Sequence, residues 1–298
     1  MSKKLSIFLL SLIILFFALF SLKTLSALKK DNATSASNNI IVVPNNNALP
    51  NTSNINISAL VQNNYIPLSN TEISKIEDLK NYLIGKFDRS KRNDFVLVSD
   101  SYTISDSKIY LRQEAYKSFL KMEKVASSEG ISLKIISGFR NFIYQKSIWE
   151  KKWNGDVLVD GKNLKKSIPD ELERAKKILE YSAMPGTSRH HWGTEIDMNN
   201  ADPAYFDSEK GKKGYDWLVE NASKFGFCQP YNKKSDSERT GYSEEKWHWS
   251  YFPISKELIN DYVSLIKKDD IKGFSGDQYF SEMNIIADYV LGINPICI

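Results

Sequence analysis

The chain has 298 residues, 42% hydrophobic and 26% charged, a balance that leaves room for a packed core and excludes a wholly disordered or fibrous protein. Its net charge is +4, but residues 1–30 hold five lysines and no acid. Without those lysines the remainder carries about −1, which excludes the basic field of a nucleic-acid binder.

The N-terminus joins a positive "MSKK" to the apolar run "LSIFLLSLIILFFALFSL" from Leu5 to Leu22. Eighteen such residues reach the lower limit for spanning a bilayer, so a cleaved signal peptide and an uncleaved anchor are both open for residues 1–30. Ala27 offers a small residue before a cut, and no cysteine lies nearby for lipoprotein processing. Lys3 and Lys4 orient the rest of the chain outside the cytoplasm, with membrane contact only through this segment. Residues 31–72 are rich in Asn and Ser without hydrophobic period, as in a flexible linker. A folded domain is expected over 73–298.

Within that domain "ISKIEDLKNYLIGKF" has helical spacing, and "DFVLVSD" and "SKIYLRQ" read as short strands. The helix "QEAYKSFLKMEKVASSEG" closes at Gly130, and the strand "ISLKIISGFR" runs to Gly138. Helices follow in "NFIYQKSIWEKKW" and "DELERAKKILEYSAM", the latter stopped at Pro185 and Gly186. "TEIDMN" and "KWHWSYF" are strand-like, with a helix between them in "YDWLVENASKFGF". Two helices, "ISKELINDYVSLIKK" and "SEMNIIADYVLGI", end the chain. Strands and helices without a regular βαβ rhythm indicate an α+β fold. For Cys228 and Cys297, a disulfide and two buried thiols are both open.

All three histidines fall in two aromatic-rich strings, "SRHHWGTEIDMNN" (Ser188–Asn200) and "EEKWHWSYFP" (Glu244–Pro253). A zinc hydrolase needs three protein ligands, an open position for water and a nearby base. His190, His191, His248, Asp197 and Glu195 supply donors, and a turn at Gly193 lets His190 and Asp197 converge. Glu245 lies three residues before His248; on an extended strand the two face apart, so they share a site only if the backbone bends. Each residue alone has a plainer reading: a histidine beside tryptophans is more often packed than ligating, and Asp197 could cap a turn.

"SRHHWGTEID" fits Ser-x-His-x-x-Gly-x-x-x-Asp, "EKWH" fits Glu-x-x-His, and upstream "SGFRNFIYQ" (Ser137–Gln145) fits Ser-Gly-aromatic-Arg followed by Gln. Three blocks in this order resemble the VanY-type zinc D-alanyl-D-alanine carboxypeptidases, peptidoglycan peptidases of D,D and L,D specificity, over roughly residues 133–253. The resemblance implies a small antiparallel sheet flanked by helices, with the zinc site in a cleft on the sheet. It implies one Zn²⁺ per chain on His190, Asp197 and His248, with Glu245 as catalytic base and Arg140 facing either the scissile carbonyl or the terminal carboxylate. Ser137, Gln145 and Ser188 would help bind the terminal residue, and His191 would pack. Glu195 departs from the family, where many members carry a small residue. The implied substrate is a peptidoglycan stem peptide losing a C-terminal D-alanine, cut by a monomer in the bacterial cell envelope, outside the cytoplasm. A cross-link endopeptidase and an inactive wall-binding module are the alternatives; a complete ligand set plus Glu245 argues against the second.

Overall fold

The computed structural model describes residues 69–104 and 107–298. The expectations for residues 1–30, and for the linker up to residue 68, lie outside the described residues.

The first described element starts before the expected boundary at residue 73. Helix α1 spans Asn70–Leu83 and opens with a reciprocal cap, in which Ser69 Oγ accepts from the Glu72 N–H while the Glu72 carboxylate accepts from the Ser69 N–H. That arrangement satisfies donors a helix N-terminus otherwise leaves unpaired. Strands β1 (Phe95–Leu97) and β2 (Tyr110–Arg112) form an antiparallel pair, followed by α2 (Gln113–Ser128). The remaining long elements are β3 (Ile135–Ser137), α3 (Phe142–Asn154), α4 (Glu171–Leu179), β4 (Glu195–Met198), α5 (Glu209–Asn221), β5 (Phe227–Cys228), β6 (His248–Tyr251) and α6 (Phe252–Leu265).

The last four strands make an antiparallel sheet in the order β3-β4-β6-β5, so the fold is α+β as expected. The final expected helix is reduced to a single turn of π-helix at Ile286–Val290. Asn284 just before it adopts φ +50°, a left-handed conformation that a continuous right-handed helix does not tolerate.

Register sets the chemistry. Because side chains alternate along a strand, one face of the sheet carries Glu195, Asp197, His248 and Ser250, and the other carries Ile196, Met198 and Trp249. Glu195 pairs with Ser250, Asp197 with His248, and Ser137 of β3 with Asp197. The apolar face joins a core with Phe119 and Met122 of α2 and Trp217 and Leu218 of α5. A second core gathers Leu83 of α1, Trp149 of α3, Ile178 of α4, Tyr262 of α6 and the C-terminal segment. Cys228 and Cys297 are bonded across 69 residues, tying the chain end to the sheet. Among the described residues no helix is long and apolar enough to cross a membrane.

Candidate metal and peptide site

His190 sits in a helical turn, Arg189–Trp192, that ends at Gly193. Gly193 has φ +73°, and a Cβ there would lie 2.4 Å from Phe95 Cε1. Both the conformation and the space therefore require glycine, and the chain reverses directly into β4. This is the turn expected to bring His190 and Asp197 together.

His190, Asp197 and His248 are buried, and one donor atom from each lies within 4.8 Å of the others. Their remaining polar atoms are held from behind. His190 Nδ1 is 2.7 Å from the Gly138 carbonyl, which can only accept, so this nitrogen carries the proton and Nε2 is free. His248 Nε2 is 2.8 Å from Glu195 Oε2, which leaves Nδ1 facing Asp197. Arg140 donates to Asp197 Oδ2 at 2.5 Å. Asp197 Oδ1 is buried without a hydrogen-bond donor, although His190 Nε2 lies 3.4 Å away and His248 Nδ1 3.1 Å. Those separations are close to the tetrahedral edge, roughly 3.4 Å, set by metal–ligand bonds of about 2.0–2.1 Å. Two imidazole nitrogens and an orphaned carboxylate oxygen, each oriented by an outer partner, fit a divalent metal with mixed nitrogen and oxygen ligands.

Electrostatics follow from burial. Burial pushes the Asp197 carboxyl up, but His190 and Arg140 outweigh it and hold the group well below the usual range. Burial also opposes a charge on His248, yet the carboxylates of Asp197 and Glu195 raise its pKa to about 9. Burial, then the Arg140 charge, lower His190.

From sequence alone Glu195 is an added negative charge near the site. The structure gives that charge partners. Glu195 is fully buried and meets His248 Nε2, the Ser250 hydroxyl at 2.7 Å and the Thr194 hydroxyl at 3.0 Å. Arg189, itself buried, reaches Glu195 Oε1 at 3.3 Å and the Ser250 oxygen at 2.8 Å. Burial raises the Glu195 carboxyl, but Arg189 and His248 bring it down to about 2.

The backbone does bend between Glu245 and His248: the His248 N–H donates to the Glu245 carbonyl at 3.2 Å, and β6 starts only at His248. Glu245 Oε2 consequently lies 3.5 Å from His248 Nδ1. Burial raises its carboxyl to about 7, against the pull of His248. His191 turns away from the ligand cluster. Its Nδ1 donates to the Arg140 carbonyl at 2.6 Å and its Nε2 accepts from the Gly186 N–H at 3.0 Å. Burial holds it neutral, with a pKa of about 4.

A cavity of about 450 Å³ opens beside these groups, lined among others by Arg140, Gln145, Ser188, His190, Asp197, Glu245 and His248. Ser137, expected at the substrate, is instead absent from this lining; its Oγ accepts from Arg140 Nε at 2.9 Å and holds the guanidinium in place. Gln145 donates to the Ala183 carbonyl at 2.8 Å, and its Oε1 is buried without a donor. Lys152, Tyr231, Tyr242 and Trp247, which are not among the expected site residues, also line the cavity. Lys152 alone had a legible signal, lying two helical turns beyond Gln145 on the same face of α3.

Residues 108–254 match the family model described as VanY, D-alanyl-D-alanine carboxypeptidase. A D-alanyl-D-alanine carboxypeptidase of Enterococcus faecalis is 32% identical over 129 residues, covering 43% of this chain and 43% of the relative. Another, of Enterococcus faecium, is 26% identical over 201 residues, covering 64% of this chain and 55% of the relative. The chain thus spans about half the length of the curated relatives it matches. Among solved structures, the LdcB LD-carboxypeptidase is 25% identical, with a TM-score of 0.42 over 61% of this chain and 81% of that one. The chain belongs to the VanY D-alanyl-D-alanine carboxypeptidase family.

Proposed function

We propose that the protein is a zinc-dependent carboxypeptidase that removes a C-terminal D-alanine from peptidoglycan stem peptides. The observation that carries this reading is the convergence of His190 Nε2, Asp197 Oδ1 and His248 Nδ1 beside Glu245 in a peptide-sized cavity. The family match and the order of the three sequence blocks support the same substrate class.

A bound zinc ion supplies a Lewis acid that lowers the pKa of water from 15.7 towards ~7. The chain's own residues do the rest. Glu245, next to the ligand cluster and held near neutrality by burial, takes a proton from the attacking water. As the carbon–nitrogen bond breaks, Glu245 returns that proton to the leaving D-alanine amine. Arg140 is pinned by Ser137 and Asp197, and in this reading it is the donor assigned to the negative charge that grows on the scissile carbonyl oxygen. One donor of that kind is typically worth about 10²–10³ in rate.

Work outside the cytoplasm fits the apolar N-terminal segment, the Asn/Ser-rich linker and the Cys228–Cys297 bond, which an oxidising compartment preserves. The test is digestion of defined stem peptides followed by mass spectrometry. Loss of a single C-terminal alanine is expected, and peptides with a D- or an L-residue before it separate the two specificities. Conversion of cross-linked dimers to monomers without alanine release would overturn the assignment in favour of an endopeptidase. No cleavage of any of these would overturn it in favour of a binding module.

A further inference from the structure

Three lysine and arginine side chains line the cavity, and two of them already face carboxylates. Arg140 is bound to Asp197 at 2.5 Å, and Arg189 meets Glu195 at 3.3 Å. The third, Lys152, makes no ion pair among the described residues; its ammonium instead donates to the Ser182 hydroxyl at 2.5 Å. Of the acids that line the cavity with it, Asp160 and Glu180 are held by Lys177 at 2.7 and 2.6 Å, and neither Glu244 nor Glu245 forms an ion pair with Lys152 among the described residues. Burial accordingly pulls the Lys152 ammonium below its ordinary pKa, with Glu245 opposing the shift and Arg140 adding to it.

Position agrees with charge. Gln145 and Lys152 lie seven residues apart on α3, so they share a face, and both reach the 182–183 segment. They form one wall of the cavity, with the ligand cluster and Glu245 also lining it. A carboxypeptidase must hold a free carboxylate one residue beyond the bond it cuts. Arg140 is fixed against a metal-ligand candidate, whereas Lys152 has no ion-pair partner among the described residues.

We propose that Lys152 receives the C-terminal carboxylate of the peptide substrate and leaves Arg140 to the scissile carbonyl. This rests on the carboxypeptidase reading. An ammonium has three donors; one is given to Ser182, and the others are available to the carboxylate.

The experiment compares a stem peptide ending in free D-alanine with the same peptide ending in D-alanine amide, using the wild type, Lys152→Met and Lys152→Arg. Lys152→Met should lower kcat/KM on the free acid by about 10- to 100-fold, mostly through KM, and leave the already poor amide nearly unchanged. Lys152→Arg, which keeps the charge, should retain part of the preference for the acid. Metal content and melting temperature should stay at the wild-type values. Equal losses on acid and amide, or no loss on either, would overturn the proposal. A second measurement keeps the two readings apart: calorimetric binding of D-alanyl-D-alanine to Glu245→Gln, with and without Lys152→Met. Loss of binding on adding Lys152→Met supports the subsite even if the wild type cleaves neither peptide, which would sink the carboxypeptidase reading alone. Unchanged binding contradicts the subsite.

Discussion

The two faces of strands β4 and β6 show the difference between stability and chemistry, because the same four-residue segments build both. On one face Ile196, Met198 and Trp249 join the apolar core, where burial of a large side chain contributes about 1.5–3 kcal/mol. On the other face Glu195, Asp197, His248 and Ser250 are just as buried, yet they are charged or polar. Burying such groups is costly unless each finds a partner. Glu195 finds Arg189, Ser250 and His248, whereas Asp197 Oδ1 finds no donor. The apolar face therefore holds the strands together, and the polar face pairs Glu195 from several sides while leaving the Asp197 Oδ1 acceptor without a donor.

Three substitutions or conditions break or sharpen that contrast. The largest effect is expected at Glu195, since Glu195→Gln strips the buried Arg189 of its counter-charge and also disturbs the hydrogen bond that orients His248. Chemical denaturation should show a loss of about 3–5 kcal/mol, and zinc titration a weakening of about 10- to 100-fold. The pair Glu195→Leu with Arg189→Met should regain stability without regaining metal affinity; recovery of both would show that Glu195 has no role in orienting His248. Trp249→Ala on the opposite face should cost about 3–5 kcal/mol and leave the zinc affinity of the folded protein at the wild-type value. A matching fall in metal affinity would mean that the two faces are not separable. The smallest effect is in pH. Glu245 must be ionised to act, and its carboxyl is held up to about 7 by burial. Activity should therefore rise with pH and then level, and a bound cation, which favours the ionised form, places that limb at or below about 7. A kcat/KM profile that begins to rise only above about pH 8 would contradict Glu245 as the base.

Much of this was legible in the sequence, for reasons that differ by residue. The α+β class, the turn at Gly193 and the separation of His190 from His191 followed from spacing and from the family's motifs. The sequence leaves Glu245 and His248 unresolved, because three residues of extended chain face them apart; the turn before β6 joins them. The family's motif puts Ser137 at the substrate, but a hydroxyl's partner is a matter of tertiary geometry, and here it is Arg140. Ser69 and Glu72 spell a capping box that starts α1 before the expected boundary, and the last helix is shorter than its periodicity predicts because periodicity does not reveal the left-handed Asn284. Glu195 read as a foreign charge since its compensation comes from residues as distant as Ser250.

The central claim is that His190, Asp197 and His248 hold a metal while Glu245, which is not a ligand, moves the proton. Its most direct test is Glu245→Gln, assayed for zinc content and for release of D-alanine from the same preparation. One zinc per chain, with turnover reduced by about 10²–10⁴, is the expected result. Retained turnover, or loss of the metal together with Glu245, would contradict the account.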